Sequence, residues 1–161
     1  MAKAYLCLGS NLGDRNKNIS KALQLLEQAG VKTLKKSAMY ETEPVGFKLQ
    51  PLFYNICIES ETTLEPAALL KLLQETEVKT GRKKSVKWGP RIIDIDILFY
   101  DNIILYTPDL VIPHAEIQNR KFVLAPLAEI AGTLVHPGFN LTIQEMLDKG
   151  NFEEKIRRLE P

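Results

Sequence analysis

Six apolar segments, alternating between two-residue and helical periodicity, follow one another through the first hundred residues, and their order restricts the fold more than any other feature of the chain. Residues 4–8 form a short apolar strand that ends at the turn-forming Gly9-Ser10-Asn11. A helix is expected from Asp14 to Gln28, because Ile19, Ala22, Leu23, Leu26 and Ala29 recur at helical spacing and Gly30 suits the left-handed position after a C-terminus. A strand is expected over 33–42, and Phe53 to Thr62 forms another. Between them, Glu43 to Pro51 carries two prolines and a glycine, which makes it a long loop rather than a continuation of sheet. Glu65-Pro66 opens a second helix running to Gly81, with proline early, where its missing N–H costs nothing.

The sixth segment is the strand that contains Ile92-Ile93-Asp94-Ile95-Asp96-Ile97-Leu98. Asp101-Asn102 reads as a turn into Ile103 to Tyr106, a hairpin partner for that strand. Beyond Pro113 the chain is loop-rich, with helices around 122–130 and 142–149. Strand, helix, strand, strand, helix, strand is the ferredoxin-like order, an α/β (α+β) arrangement with an antiparallel sheet and helices on one side. With 161 residues, 45% of them hydrophobic, the chain suits one domain spanning 1–161 with a core that needs no staples.

Asp94 and Asp96 are the chemically demanding part of this pattern. Alternate side chains of a strand share a face, so the two carboxylates point the same way, with Cα atoms roughly 7 Å apart, while Ile93, Ile95 and Ile97 point into a core. At about 6 Å and an effective dielectric near 20 their repulsion is on the order of 3 kcal/mol. A divalent cation or a cationic ligand relieves it, and an oxygen-only pair with open positions favours Mg²⁺ beside substrate phosphates. A solvated strand face paired with Lys or Arg is the competing explanation. The stretch from Arg82 to Arg91 holds Arg82, Lys83, Lys84, Lys87 and Arg91 with no acidic residue, and it adjoins the carboxylates. Such cations balance the outer oxygens of a polyphosphate, Arg by forked hydrogen bonds and Lys as a point charge. Gly81, Gly89 and Pro90 bracket the stretch, which suits a lid over the phosphates with Trp88 as an apolar plug, although Trp88 also fits ordinary core.

Other positions are ambiguous on their own. Asn55 shares a strand face with Phe53 and Cys57, and its two-way amide suits either a flat heterocycle or a buried turn anchor. His114 and the run Asn119-Arg120-Lys121-Phe122 supply an imidazole, a guanidinium and a ring, and His136 has less to recommend it. The Gly9 to Gly13 turn lacks the Gly-Lys-Ser/Thr ending of a P-loop and the GxGxxG spacing, so it reads as a strand-to-helix turn. Cys7 and Cys57 fall in expected strands without CxxC or His-rich company, as small buried groups of a reducing compartment.

Taken together, Gly9 to Gly13, Tyr40-Glu41-Thr42-Glu43-Pro44-Val45-Gly46, Asn55, Gly81-Arg82, Trp88 to Asp96, Pro113-His114 and Asn119 to Phe122 resemble the 6-hydroxymethyl-7,8-dihydropterin pyrophosphokinases of folate biosynthesis, in order from about residue 4 to residue 140. The resemblance implies a transferase that moves pyrophosphate from ATP to the pterin's hydroxymethyl oxygen and releases AMP, with two Mg²⁺ ions. It also implies an α/β/α fold with helices on both faces and an added C-terminal hairpin and helices. By position, Asp94 and Asp96 correspond to the metal ligands and Arg82 and Arg91 to phosphate clamps; all four are the catalytic candidates. His114 and Arg120 correspond to further triphosphate contacts, and Gln74, Glu77 and the backbone near Ile97 to the nucleotide side. Thr42, Pro44 and Val45 correspond to the loop against the heterocycle and Asn55 to its amide anchor. Phe53 and Phe122 correspond to the rings that sandwich it, and Trp88 to the residue that closes over the site. Ala115 departs from the aromatic residue common after that histidine, Phe53 lacks a tyrosine hydroxyl, and the roles of Lys83 and Lys84 stay open.

The resemblance further implies small-molecule partners only, in a cytoplasmic monomer without nucleic acid or membrane contacts. A formal charge of +1 gives no support to polyanion coating, and no apolar run approaches the length of a membrane span. Two rival classes remain. A ferredoxin-like RNA-binding module would show an RNP1-like pattern that this chain lacks. A two-metal phosphohydrolase would use the same aspartates without a pterin acceptor.

Overall fold

The computed structural model describes residues 1–46, 48–83 and 89–160. β1 (Ala2–Ser10), α1 (Arg15–Gln28), β2 (Lys32–Lys36), β3 (Tyr40–Thr42), β4 (Phe53–Thr62), α2 (Pro66–Thr80) and β5 (Asp94–Tyr100) reproduce the expected order. β1 lies between β4 and β5, antiparallel to both, and β2 and β3 both pair with the far edge of β4. This is the strand arrangement of a ferredoxin-like sheet. The single strand expected over 33–42 is thus two short strands, interrupted at Ser37–Met39. There Ser37 replaces one backbone bond of the ladder with a side-chain one: its N–H donates to the Cys57 carbonyl at 2.9 Å, and its Oγ accepts the Cys57 N–H at 3.0 Å.

Two cores sit on the two faces of this sheet. Leu6, Leu8, Ile56, Ile58, Ile95 and Ile97 pack with Ile19, Ala22 and Leu26 of α1 and Leu69 and Leu73 of α2. Helix α1 starts where Asp14 accepts the Lys17 N–H, a cap of the kind worth about 1 kcal/mol. On the opposite face Tyr5, Cys7, Cys57, Leu98 and Phe99 pack against Val123, Leu124 and Leu127 of α3 (Lys121–Ala131) and Met146 of α4 (Ile143–Lys149). Leu98 and Phe99 share that face because the pairing of β5 with β1 shifts by one residue there, from Leu6↔Ile97 to Tyr5↔Phe99. Helices therefore cover both faces.

Two expectations about strand ends give way. β1 continues through Gly9 and Ser10 instead of turning, because both pair with β4 opposite Asn55 and Tyr54. The turn at Asp101-Asn102 is present, yet β6 (Leu105–Tyr106) pairs with β7 (Val111–Ile112) and not with β5. Ile112 of that hairpin buries its side chain in the first core, and the following His114 N–H donates to the Leu98 carbonyl of β5 at 3.0 Å. A small hairpin, β8 (Val135–His136) with β9 (Leu141–Thr142), leads into α4. The chain then returns as β10 (Ile156–Arg158) to pair with β3, a strand that the sequence pattern does not announce. No helix among the described residues is long and apolar enough to cross a membrane.

Candidate active site

The α3/α4 face of the sheet is only partly covered. Where β1, β3, β4 and β5 run past the N-terminus of α3 the floor is left open, and there a cavity of about 220 Å³ forms. Its floor is Cys7 and Gly9 of β1, Thr42 of β3, Phe53 and Asn55 of β4, and Asp94 and Asp96 of β5. The two aspartates alternate with buried Ile93, Ile95 and Ile97, as the strand period requires. Glu43, Val45, Arg82, Gly89, Arg91, Arg120 and Phe122 complete the wall.

Each end of the cavity has a distinct chemistry. At one end Asn55, 4% exposed, donates from Nδ2 to Thr42 Oγ1 at 2.7 Å, with Phe53 beside it and Phe122 at the start of α3. Gly9 is required here because a Cβ at that position would collide with Asn55 Oδ1 and lie 3.5 Å from Phe53. This end is flat, apolar and equipped with one amide, which suits a planar heterocycle. At the other end Arg82 reaches Asp94 at 3.3 Å and Glu77 at 2.8 Å, while Arg120 stands 4.0 Å from Asp96. Arg120 also lies over the Phe122 ring at 5.6 Å, linking the two ends. This end is dense in charge of both signs.

Burial and the neighbouring Asp94 push the Asp96 carboxyl up to about 7. Glu77 is pushed up to about 7 as well, chiefly by burial, although it accepts the Ile95 N–H at 2.9 Å and pairs with Arg82. The cations present do not fully compensate these acids. Both donors of the Asp94/Asp96 pair are oxygens, and no cluster of three or more His, Cys, Asp or Glu residues of metal-binding geometry occurs among the described residues. That donor set fits Mg²⁺, which keeps water or phosphate in its remaining positions, better than a cage-bound ion.

The remaining sequence candidates fall around this centre. His114 is half-buried outside the cavity wall; its Nδ1 accepts the Glu116 N–H at 3.1 Å, and burial with the Arg120 charge lowers its pKa to about 4, so it is a neutral group at pH 7. Gln74 is exposed on α2, and Ile97 is buried opposite Leu6. Pro44 lines an adjoining groove with Val45 and Lys48. Trp88, Lys84 and Lys87 lie outside the described residues. His136 is a turn anchor whose Nδ1 accepts the N–H groups of Gly138 and Phe139.

Sequence reasoning passed over Asn11, which organises the site from beneath. Only 2% exposed, it exchanges two hydrogen bonds with the Arg91 backbone, at 2.7 and 3.0 Å, and donates to Gln50 and to the Pro51 carbonyl. One amide thereby ties the entry to β5 to the loop before β4. Cys7, Gly9, Glu43 and Gly89 are further wall residues; Gly9, Glu43 and Gly89 fall within the motif blocks of the resemblance but were given no place in the site.

Residues 5–132 match the family model for 7,8-dihydro-6-hydroxymethylpterin-pyrophosphokinase (HPPK). The chain belongs to the HPPK family. It is 47% identical over 128 residues to the 2-amino-4-hydroxy-6-hydroxymethyldihydropteridine pyrophosphokinase of Bacillus subtilis, covering 79% of this chain and 77% of that protein. To the enzyme of the same name from Aquifex aeolicus it is 41% identical, with 90% of each covered. The Folic acid synthesis protein fol1 of Pneumocystis carinii is 46% identical over 90% of this chain, which spans only 20% of that longer protein. The fold matches the crystal structure of wild-type HPPK-DHPS from Plasmodium falciparum with a TM-score of 0.74, at 17% identity, over 92% of this chain and 44% of that one. The aspartates, Asn55 and both phenylalanines of the cavity all fall within the matched stretch.

Proposed function

We propose that this HPPK-family chain transfers the terminal pyrophosphoryl group of ATP to the hydroxymethyl oxygen of 6-hydroxymethyl-7,8-dihydropterin and releases AMP. The observation that carries the proposal is the joining, within one cavity, of a heterocycle end built on Asn55, Thr42, Phe53 and Phe122 to a charged end built on Asp94, Asp96, Arg82, Arg91 and Arg120. An acceptor seated at the first end presents its substituent to a polyphosphate at the second.

Asn55 and Thr42 orient the pterin by hydrogen bonds, Phe53 and Phe122 sandwich its ring, and Pro44 and Val45 with Trp88 shut it from water. Arg82, Arg91, Arg120 and His114 hold the triphosphate, while Gln74, Glu77 and the backbone near Ile97 receive the nucleoside. Asp94 and Asp96 would hold the two Mg²⁺ ions, which would supply neutralising charge beside the phosphate oxygens. The acceptor hydroxyl attacks the β-phosphorus and gives up its proton to water, a new P–O bond forms, and the bond from that phosphorus to the α-phosphate oxygen breaks with AMP as leaving group. The chain supplies positioning and fixed positive charge: Arg82 and Arg91 stabilise the charge that builds on the transferring group.

The reading includes one domain over residues 1–161 acting as a monomer in the cytoplasm on small molecules, apart from nucleic acid and membranes. Two cores on the two faces of one sheet support the single domain, and the unpaired, buried Cys7 and Cys57 are consistent with a reducing compartment. The test is incubation with ATP, Mg²⁺ and the reduced hydroxymethylpterin, followed by separation of adenine nucleotides. AMP forms only when the acceptor is present; ADP, or AMP released without acceptor, rejects the reading in favour of a phosphohydrolase.

A further inference from the structure

Helix α3 begins without a cap of its own. Arg120 occupies the N-cap position, where its guanidinium has no acceptor to offer the helix N–H groups, and it is turned toward Asp96 and the Phe122 ring. The first helical amide, Lys121 N–H, donates instead to Glu154 Oε1 at 2.6 Å, from a residue 33 positions later. The next residue of that segment grips the opposite wall: Lys155 N–H donates to Glu43 Oε1 at 2.6 Å, and the Lys155 carbonyl accepts the Glu43 N–H at 3.3 Å. Ile156 then pairs with Thr42 in the sheet. Adjacent residues of one segment thus fasten the start of α3, which carries Arg120 and Phe122, to the Thr42–Val45 loop across the cavity.

We infer that residues 154–156 are a strap that sets the separation of the two cavity walls, with Glu154 as a positioning residue for Arg120 and Phe122. The segment lies beyond the 5–132 stretch that matches the family model. Its logic is a division of labour: a side chain that capped α3 from position 120 would not be available to the charged end of the cavity, so the capping oxygen comes from elsewhere in the chain. The part that concerns pterin binding rests on the proposed function; the part that concerns wall order does not.

Two measurements separate these parts. Glu154→Ala removes the acceptor, and Lys121→Pro removes the donor at a helical position that tolerates proline. Each is expected to speed amide hydrogen exchange in both 41–46 and 120–124 while leaving α1 and α2 unchanged. Each is also expected to raise the pterin KM about tenfold through Phe122 and the ATP KM several-fold through Arg120, with kcat within about twofold. Glu154→Gln, which keeps an acceptor oxygen, restores both to near wild type, and the double variant is no worse than either single one, because donor and acceptor serve one bond. Unchanged exchange at either wall overturns the strap. So does faster exchange with an unaltered pterin KM, or a Glu154→Gln protein as impaired as Glu154→Ala. A wild-type protein without acceptor-dependent AMP release counts against the proposed function, and the exchange arm then decides the strap alone.

Discussion

Gly9→Ala is a small change with a large expected effect on one substrate. The added Cβ would overlap Asn55 Oδ1. Backbone movement is the costly way out, because Gly9 lies within β1 between β4 and β5, paired with both Asn55 and Asp94. Overpacking of this kind costs about 1–3 kcal/mol when the backbone must give. Rotating the Asn55 amide is cheaper: it sacrifices the 2.7 Å bond to Thr42, a net loss of about 1 kcal/mol. The fold should take that route, with a fall in Tm of about 2–4 °C for a chain of this size. The pterin end bears the consequence. An amide turned away from the cavity floor forfeits its bonds to the heterocycle and leaves buried groups unpaired, which at about 1–3 kcal/mol corresponds to roughly 5- to 150-fold weaker pterin binding. Isothermal titration with pterin, in the presence of Mg²⁺ and a non-hydrolysable ATP analogue, reads this directly. Nucleotide affinity should change by less than about twofold, since the atoms nearest the added Cβ belong to Asn55 and Phe53. Wild-type pterin affinity in the folded variant would refute both the anchoring role of Asn55 and the reason given for a glycine at this position.

The charged end supports three further predictions. Asp94→Ala and Asp96→Ala should each keep the circular dichroism of the wild type yet lower turnover by more than about a thousandfold, and near-normal turnover at saturating Mg²⁺ would reject them as ligands. Arg82→Ala should slow the single-turnover rate by about a hundredfold while ATP affinity changes less, because its charge is needed most as charge builds on the transferring group; an unchanged rate would assign Arg82 only to its ion pairs with Glu77 and Asp94. In EDTA, Asp96 and Glu77, both pushed up to about 7, hold protons in the folded state that the unfolded chain has already released between about pH 4 and 7, so their contribution to stability falls as pH rises through 7. His114 and His136, lowered by burial, act in the opposite sense below about pH 6.5, so the quantity to follow is the Tm difference between wild type and Asp96→Asn or Glu77→Gln from pH 5 to 8. That difference should shift in favour of the variants as pH rises, and a constant difference would contradict the burial argument.

Local periodicity was a sufficient guide wherever an element's partners were the obvious ones. Asp14 and Gly30 bound α1 because capping is a local matter, and Asp94 and Asp96 share a face because a strand has a period of two. Pairing is not local. Residues 105–106 look like a partner for β5, but they pair with 111–112, and it is the chain at His114 that meets β5, its N–H donating to the Leu98 carbonyl at 3.0 Å. Gly9 looks like the first residue of a turn, since nothing nearby in sequence reveals that Asn55 will cross above it; only the register of β1 on β4 does. Asn11 was passed over for the same reason: its partners at 50, 51 and 91 are far away along the chain. The cavity could be anticipated as a set of residues through family resemblance, but its walls depend on Glu154 and Lys155, which carry no motif.

The carboxylate pair explains why the cations come from so many places. A chain with a formal charge of +1 has no excess of positive charge to spread over a phosphate site, so its cations must be concentrated. Arg82 follows α2, Arg91 precedes β5 and Arg120 precedes α3, and the cavity brings all three beside Asp94 and Asp96. Arg82 is divided between Glu77 and Asp94, and Arg120 reaches Asp96 only at 4.0 Å, so these cations do not offset the burial that raises the pKa values of Asp96 and Glu77. Bringing in a divalent cation with a polyanion satisfies both signs at once: the acids gain a closer positive charge, and the arginines are released to phosphate oxygens. Neither ligand alone does this as well. A triphosphate without the cation faces Asp94 and Asp96 in the same cavity, and the cation without the triphosphate faces Arg82, Arg91 and Arg120, so the electrostatics of the site favour binding the two as a single complex.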